Sequence, residues 1–342
     1  MTFSLFCPAG FPKHNYEYYL SARAQIPRAG LYESHYVKAN SPDGQSAFWL
    51  KHNILIWRDS NRPAVVELWG IWFERGKAPI ALKQEVPLTD VKLATDTLQL
   101  HGPSIALETT GSQTQIQSGD RLMSWSLEFT PTAPPLILLP HAWMYEYRLP
   151  KKKILTPVPR MLVHGQLNVL GKIIQIDGWQ GFRGHNWGTE HAYTYAYGNC
   201  TVFKEIPELM IDGFSAKLKL GPVITPFICA SVLRHQVQDE PMNGLLTALS
   251  AQESVKFPQW QVTWKEGNRT LTLHQSAKKE DFVGLVYQHP SGQVSYCYNT
   301  KFAHTLVDFD SSEHHVHAES DVGELEFLFN EPIKGIELIG EK

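Results

Sequence analysis

An alternation with a period of two residues, repeated along the chain, constrains this sequence most. In residues 124–129, Trp125, Leu127 and Phe129 alternate with Ser124, Ser126 and Glu128. An extended chain sends successive side chains to opposite faces, so such a run suits a half-buried strand. Residues 65–73 read the same way, with Trp69, Ile71 and Phe73 on one face. Residues 259–264 group Trp260, Val262 and Trp264, and Leu325, Phe327 and Phe329 repeat the theme. Turn signals fall between these runs. Leu170-Gly171 predicts a tight hairpin between residues 162–169 and 173–177. Gly267-Asn268 and Pro290-Ser291-Gly292 predict two more, and Gly111 and Gly119 punctuate the strands around them. Many short strands at roughly ten-residue spacing indicate an all-β sandwich or barrel. Helical pattern is scarce, with short candidates only at 15–24 and 241–252.

At 342 residues the chain can bury a sizeable core, and two domains are expected. Charged residues make up 19%, against about 25% in average proteins, and aromatics make up 11%, including 10 Trp. That balance excludes a disordered chain. The tryptophans imply large cores, a large pocket, or both. A net charge of −3 gives no basic field to attract nucleic acid. Cys7, Cys200, Cys229 and Cys297 form no C-x-x-C pair, so neither a zinc knuckle nor a dithiol centre is expected. Residues 1–10 lack the basic-then-apolar pattern of a secretory signal. The longest nearly uncharged stretch, 221–233, contains two prolines and is shorter than the ~20 residues of a spanning helix. A cytoplasmic location is therefore expected.

Residues 45–57 read as a long strand that is apolar on both faces. One face carries Phe48, Leu50, His52 and Ile54; the other carries Trp49, Lys51, Asn53 and Trp57. This suits a barrel wall with one packed face and one cavity-lining face, or equally the central strand of a thick sandwich. The most linker-like stretch is 150–159, with Pro150, Pro157, Pro159 and three lysines. It reads as a domain boundary or a long loop. Lys151, Lys152 and Lys153, with Arg148 and Arg160, read as a solvated basic patch.

The densest polar-aromatic cluster lies at 179–197. His185, Asn186, Glu190 and His191 stand among Trp179, Trp187, Tyr193, Tyr195 and Tyr197. Gly178, Gly181, Gly184 and Gly188 suggest a loop with an unusual backbone path. Convergent polar groups in an apolar setting are the chemistry of a pocket. His185 and His191 are six apart, which fits neither zincin spacing, so no metal is expected. His314, His315 and His317, amid acidic residues, read as a solvated loop entering the last strand. Neither Gly-x-Ser-x-Gly nor a phosphate or dinucleotide loop occurs. Cys297 reads as a buried small hydrophobe.

His185-Asn186-Trp187-Gly188, reached after a glycine-punctuated hairpin, resembles carotenoid 1,2-hydratase (hydroxyneurosporene synthase). It also resembles the wider lipocalin-like group with tocopherol cyclase and certain fungal Diels–Alderases. Residues 44–50, 69–73 and 295–301 are similar to further strands of that group, in the same order. The resemblance implies two tandem lipocalin-like antiparallel β-barrel domains with few short helices and a ligand cavity near their interface. It implies that residues 162–178 complete the first barrel, giving domains at 1–178 and 179–342. One position departs from the pattern: Gly184 stands where the hydratases commonly have Asp.

Together these features lead to an expected cofactor-independent enzyme that hydrates or cyclises an apolar isoprenoid-like substrate. Protonating a carbon–carbon double bond needs an acid whose pKa is raised by burial, and aromatic faces to stabilise the cation. Glu190 is the expected acid, with His185 orienting it or relaying the proton. Asn186 and Tyr195 would position the substrate, while Trp49, Trp179, Trp187, His191 and Asn299 would line its site. The alternative is a non-catalytic carrier of an apolar ligand. Either protein would have an apolar small molecule as partner, obtained through contact with a membrane surface.

Overall fold

A computed structural model describes residues 30–94, 97–146 and 149–340. The helix expected at 15–24, Cys7 and Arg148 lie outside the described residues. The fold is nearly all β and comprises two large antiparallel sheets.

The first sheet is built from β1 (Leu31–Asn40), β2 (Ser46–Ile56), β3 (Val65–Glu74), β4 (Ile80–Pro87), β5 (Lys92–Leu93), β6 (Gln99–Gly102), β7 (Ile105–Glu108), β8 (Gly111–Ser118), β9 (Arg121–Pro131), β10 (Lys152–Val169) and β11 (Lys172–Gly188). Their order is β4-β3-β2-β1-β11-β10-β9-β8-β7-β6-β5. The sheet curls until β4 approaches β8, where the Gln117 amide donates to Gln84 Oε1 at 2.9 Å. Phe48, Leu50, Leu68, Trp125, Leu127 and Val163 fill the interior. The expected hairpin at Leu170-Gly171 is present, with Val169 paired to Lys172 and φ of 52° and 88° at the two turn residues. Both values are positive, as a tight hairpin turn demands.

The second sheet repeats the plan with β12 (Thr194–Cys200), β13 (Met210–Lys217), β16 (Ile228–His235), β17 (Gln238–Met242), β18 (Gln252–Lys256), β19 (Gln259–Glu266), β20 (Arg269–Ser276), β21 (Val283–Gln288), β22 (Val294–Asp310), β23 (His315–Phe329) and β24 (Leu338–Ile339). A separate short hairpin holds β14 (Lys219–Leu220) and β15 (Val223–Ile224). In both sheets the first strand pairs with the last long strand, β1 with β11 and β12 with β23. Trp260, Val262, Trp264, Leu271, Leu273 and Phe309 pack inside the second sheet. The helices are α1 (Trp143–Glu146) and α2 (Leu245–Ser250); α2 lies within the expected 241–252 stretch. No helix among the described residues is long and apolar enough to cross a membrane.

Three sequence expectations change. The linker-like stretch 150–159 is mostly strand β10. Its prolines are accommodated because the β10–β11 ladder shifts register between Leu155 and Val158 and again before Met161. Such irregularities are where a sheet tolerates residues without an N–H donor. The glycine-rich stretch 179–188 is strand as well, so β11 runs to Gly188 in the first sheet. The chain passes from the first sheet to the second over residues 189–193. Of the lysines at 151–153, Lys151 stays at the surface, paired with Glu190, whereas Lys153 is buried and its Nζ donates to the Pro150 carbonyl at 2.8 Å.

The outer faces of β1, β2, β3 and β11 pack against the second sheet. Tyr36, Trp49, Trp69 and Phe182 meet Tyr195, Tyr197, Leu285 and Cys297 in one buried seam. Residues 45–57 thus serve two cores, Phe48 and Leu50 in the first barrel and Trp49 in the seam.

Candidate functional site

Strand geometry divides the His185-Asn186-Trp187 motif. Successive residues of β11 face opposite ways. Phe182, Gly184 and Asn186 face the seam, while Arg183, His185 and Trp187 face into the first barrel. The motif therefore serves two different environments.

Inside the first barrel, His35 and His185 are cross-strand partners with stacked rings, centroids 4.2 Å apart. Glu33, on the same face of β1 as His35, is fully buried. Its Oε1 lies 2.9 Å from His185 Nε2 and 3.4 Å from His35 Nε2. Burial alone would raise the Glu33 carboxyl, but hydrogen bonds and charge from the two imidazoles hold it well below the usual carboxylate range. The donor atoms of Glu33, His35 and His185 all lie within 4.8 Å of one another, a grouping able to hold a metal ion. Local spacing could not reveal the cluster, because 152 positions separate Glu33 from His185. His52, beside the same layer, is pushed down to about 3 by burial, so it is neutral and bonds Thr114 Oγ1 at 2.9 Å.

Trp187 stacks on His185 and packs with Leu139, Tyr145 and Leu155 near α1. Trp179 packs with Phe48 and Trp72 in the first barrel core. Neither lines the seam.

The seam holds an apolar cavity of about 200 Å³ lined by Tyr36, Lys152, Asn186, Tyr195, Tyr197 and Phe214, among others. Residues from both sheets build it, so it exists only when the barrels pack together. Tyr36 lies across Gly184, and a Cβ at position 184 would come within 2.1 Å of Tyr36 Cζ. The phenol thus fills the space that a residue 184 side chain would need. The Tyr195 hydroxyl bonds Glu326 Oε2 at 3.3 Å, and Asn299 Nδ2 donates to Glu326 Oε1 at 2.6 Å. Asn299 is wholly buried behind the cavity, where its Oδ1 accepts from Lys301 Nζ. Trp49 is buried in the same seam near Tyr36, ring centroids 6.2 Å apart, but does not line the cavity.

Behind Tyr197 lies Asp212, fully buried on β13. Burial drives its carboxyl up to about 7, and the Thr156 hydroxyl, with Tyr197 and Asn199 nearby, only partly offsets this. Thr156 Oγ1 donates to Asp212 Oδ2. Thr156 is free to do so because it sits at the proline-induced break in the β10–β11 ladder and bridges Leu136 instead. Tyr197 stands between Tyr36 and Asp212 and influences the titration of both. Asp212 was missed in the sequence, although a signal exists: it interrupts the apolar strand face Met210, Phe214 and Ala216.

Glu190 falls elsewhere. It lies in the turn between the sheets, 35% exposed, paired with Lys151 at 3.0 Å and Arg58 at 3.5 Å. It lacks the apolar burial expected of a proton donor. His191, half-buried in the same turn, stacks on Tyr32 and meets His289 edge-on. Burial drives it well below its ordinary value, reinforced by His289 and by the Lys152 and Lys51 ammonium groups. Both residues line an open cleft of about 580 Å³ rather than the seam cavity. His315 and His317 are exposed and pair across strands with Asp310 and Asp308.

No family model and no curated protein matches the sequence. Solved structures do match in fold. CghA is similar with a TM-score of 0.60 at 11% identity, over 92% of this chain and 90% of that one. A protein from Nitrosomonas europaea assigned as AttH gives 0.53 at 12% identity, over 86% and 91%. Kievitone hydratase from Nectria haematococca gives 0.52 at 8% identity, over 90% and 91%. This chain therefore shares the two-barrel fold of those proteins along nearly its whole described length.

Proposed function

We propose that the protein hydrates or cyclises an apolar, isoprenoid-like or polyene substrate by acid catalysis in the seam cavity, without a redox cofactor. The observation that carries this reading is Asp212, a fully buried carboxyl raised to about 7, behind the phenols of an apolar cavity. A carboxyl poised near neutrality is matched to proton transfer. Tyr197 hands its hydroxyl proton to an alkene carbon while Asp212 reprotonates Tyr197. The cation left on the substrate faces Tyr36, Tyr195 and Phe214, each worth ~1–2 kcal/mol to a desolvated cation. Water captures the cation in hydration, or a second nucleophile of the substrate does so in cyclisation. The proton released in that step returns to the Asp212 carboxylate. Asn186 and Tyr195 orient the substrate in this scheme. Glu190 has no part in it, and His185 acts only by fixing β11 from the barrel side. A fold neighbour named as a hydratase supports the reading by analogy alone.

The test is turnover of a polyene and prenylated-quinol panel by wild type, Asp212→Asn and Glu190→Gln. Asp212→Asn should lose about 10²-fold or more in rate, and wild-type activity should fall as pH rises through about 7. Unchanged rate in Asp212→Asn would remove the mechanism. A carrier would instead yield its ligand chemically unaltered in native mass spectrometry after long incubation.

A further inference from the structure

Lys152 has no role in that scheme, and its surroundings are unusual. It opens β10 on the seam face and lines the cavity beside Tyr195, Asn186 and Ile154. Its Nζ lies 4.1 Å from the Tyr195 ring centroid. Among the described residues it makes neither a hydrogen bond nor an ion pair of the kind that ties down Lys83, Lys151, Lys153 and Lys301. Burial lowers it to about 8. The carboxylate whose field reaches it is Glu326, which also serves Lys51. Glu326 already accepts from Tyr195 and Asn299. Lys51 sits over the Tyr287 ring at 3.9 Å and also draws on Glu67, but Glu67 is bonded to Lys83 at 2.6 Å. The wall of this mostly apolar cavity thus carries an ammonium group together with one carboxylate, Glu326, which is shared and already engaged. An isolated cation at an apolar surface gains most from an anion brought in with the ligand.

We infer that the cavity takes an amphipathic ligand, an apolar body bearing one acidic head group, and that Lys152 receives that head. A carboxylate, or an enol or phenol acidic enough to ionise beside an ammonium, has the required chemistry. Tyr195 and Asn186 flank the head, and Phe214, Ala216, Leu218 and Ile228 take the body. The remaining charges facing Lys152 set its pH window. Burial and Lys51 oppose its charge, while Glu326 favours it. The charged form, and with it the preference for an acidic head, is present below about 8 and lost above it. This inference rests on the proposed function for the location of the site but not for its chemistry.

The experiment measures binding of geranic acid and geraniol, which share one apolar chain and differ in the head, by tryptophan fluorescence and calorimetry. Wild type should bind the acid at least about 10-fold more tightly than the alcohol at pH 7, with the difference closing by pH 9. Lys152→Met should abolish the preference and leave alcohol binding unchanged. Lys152→Arg should keep the preference at both pH values, since guanidinium stays charged. Circular dichroism checks that both variants fold. Equal binding of the two probes, a preference that survives Lys152→Met, or no binding of either up to 1 mM would each overturn the inference. Turnover of neutral polyenes is scored separately with Asp212→Asn. An acid preference without Asp212-dependent turnover leaves the head-group inference standing and removes the catalytic reading; the reverse result does the opposite.

Discussion

Glu33 and Asp212 are both fully buried carboxyl groups, one inside the first barrel and the other in the seam between barrels. Their charges are driven in opposite directions. Glu33 faces two imidazoles and is held ionised, while Asp212 faces hydroxyl and amide groups and is raised to about 7. Burial penalises both alike, so the partners decide. A carboxylate locked into charge by cationic partners holds strands together. One left near neutrality among weak donors retains a proton to give. Such separation of acid strengths by environment is how buried carboxyls acquire different roles.

The largest test of this contrast is His185→Ala. It leaves Glu33 buried with one imidazole fewer and should cost about 3–5 kcal/mol in urea denaturation, as expected for breaking a buried pair. A loss under about 1 kcal/mol would mean that His185 does not hold the charge. The same pair sets an acid limit. The lowered Glu33 carboxyl contributes its full stability above the ordinary value of 4.5 and loses it as pH falls below.

Asp212→Asn should act in the other direction. A carboxyl raised from 3.8 to about 7 destabilises the fold progressively as pH rises between those values. By pH 8 the variant should be more stable than wild type by up to ~4 kcal/mol, with little difference at pH 4. A gap between the two that stayed constant across that range would show that Asp212 ionises freely.

Gly184→Ala drives a Cβ into the Tyr36 ring and should cost about 1–3 kcal/mol, relieved in part by Tyr36→Ala. Without that relief, the ring would not be what occupies the space. Glu190→Gln, at an exposed pair, should change melting stability by less than about 1 kcal/mol. A larger loss would place Glu190 among the groups that join the barrels.

The strands were legible because alternation is local. Trp125, Trp260 and Trp264 sit in the two barrel interiors, where a period of two puts them. Trp69, also on a clean strand face, packs in the seam instead, because alternation separates faces without naming what covers them. The hairpins at Leu170-Gly171 and Gly267-Asn268 were equally local, since tight turns select their own residues. Prolines and lysines at 150–159 suggested a linker, yet pairing with β11 absorbs them in register breaks that sequence does not display. The site was legible in part. Asn186 and Tyr195 do line the cavity, but His185 and Trp187 point away from it, because adjacent strand residues cannot share a face.

The sequence alone determined the strands, the turns, the class of fold and the presence of polar groups among aromatics, all set by contacts between near neighbours. Only the tertiary structure decided which groups meet. Glu33 reaches His185 across 152 positions, and Thr156 reaches Asp212 across 56. Charge and proton affinity depend on those long-range partners, and no local pattern records them.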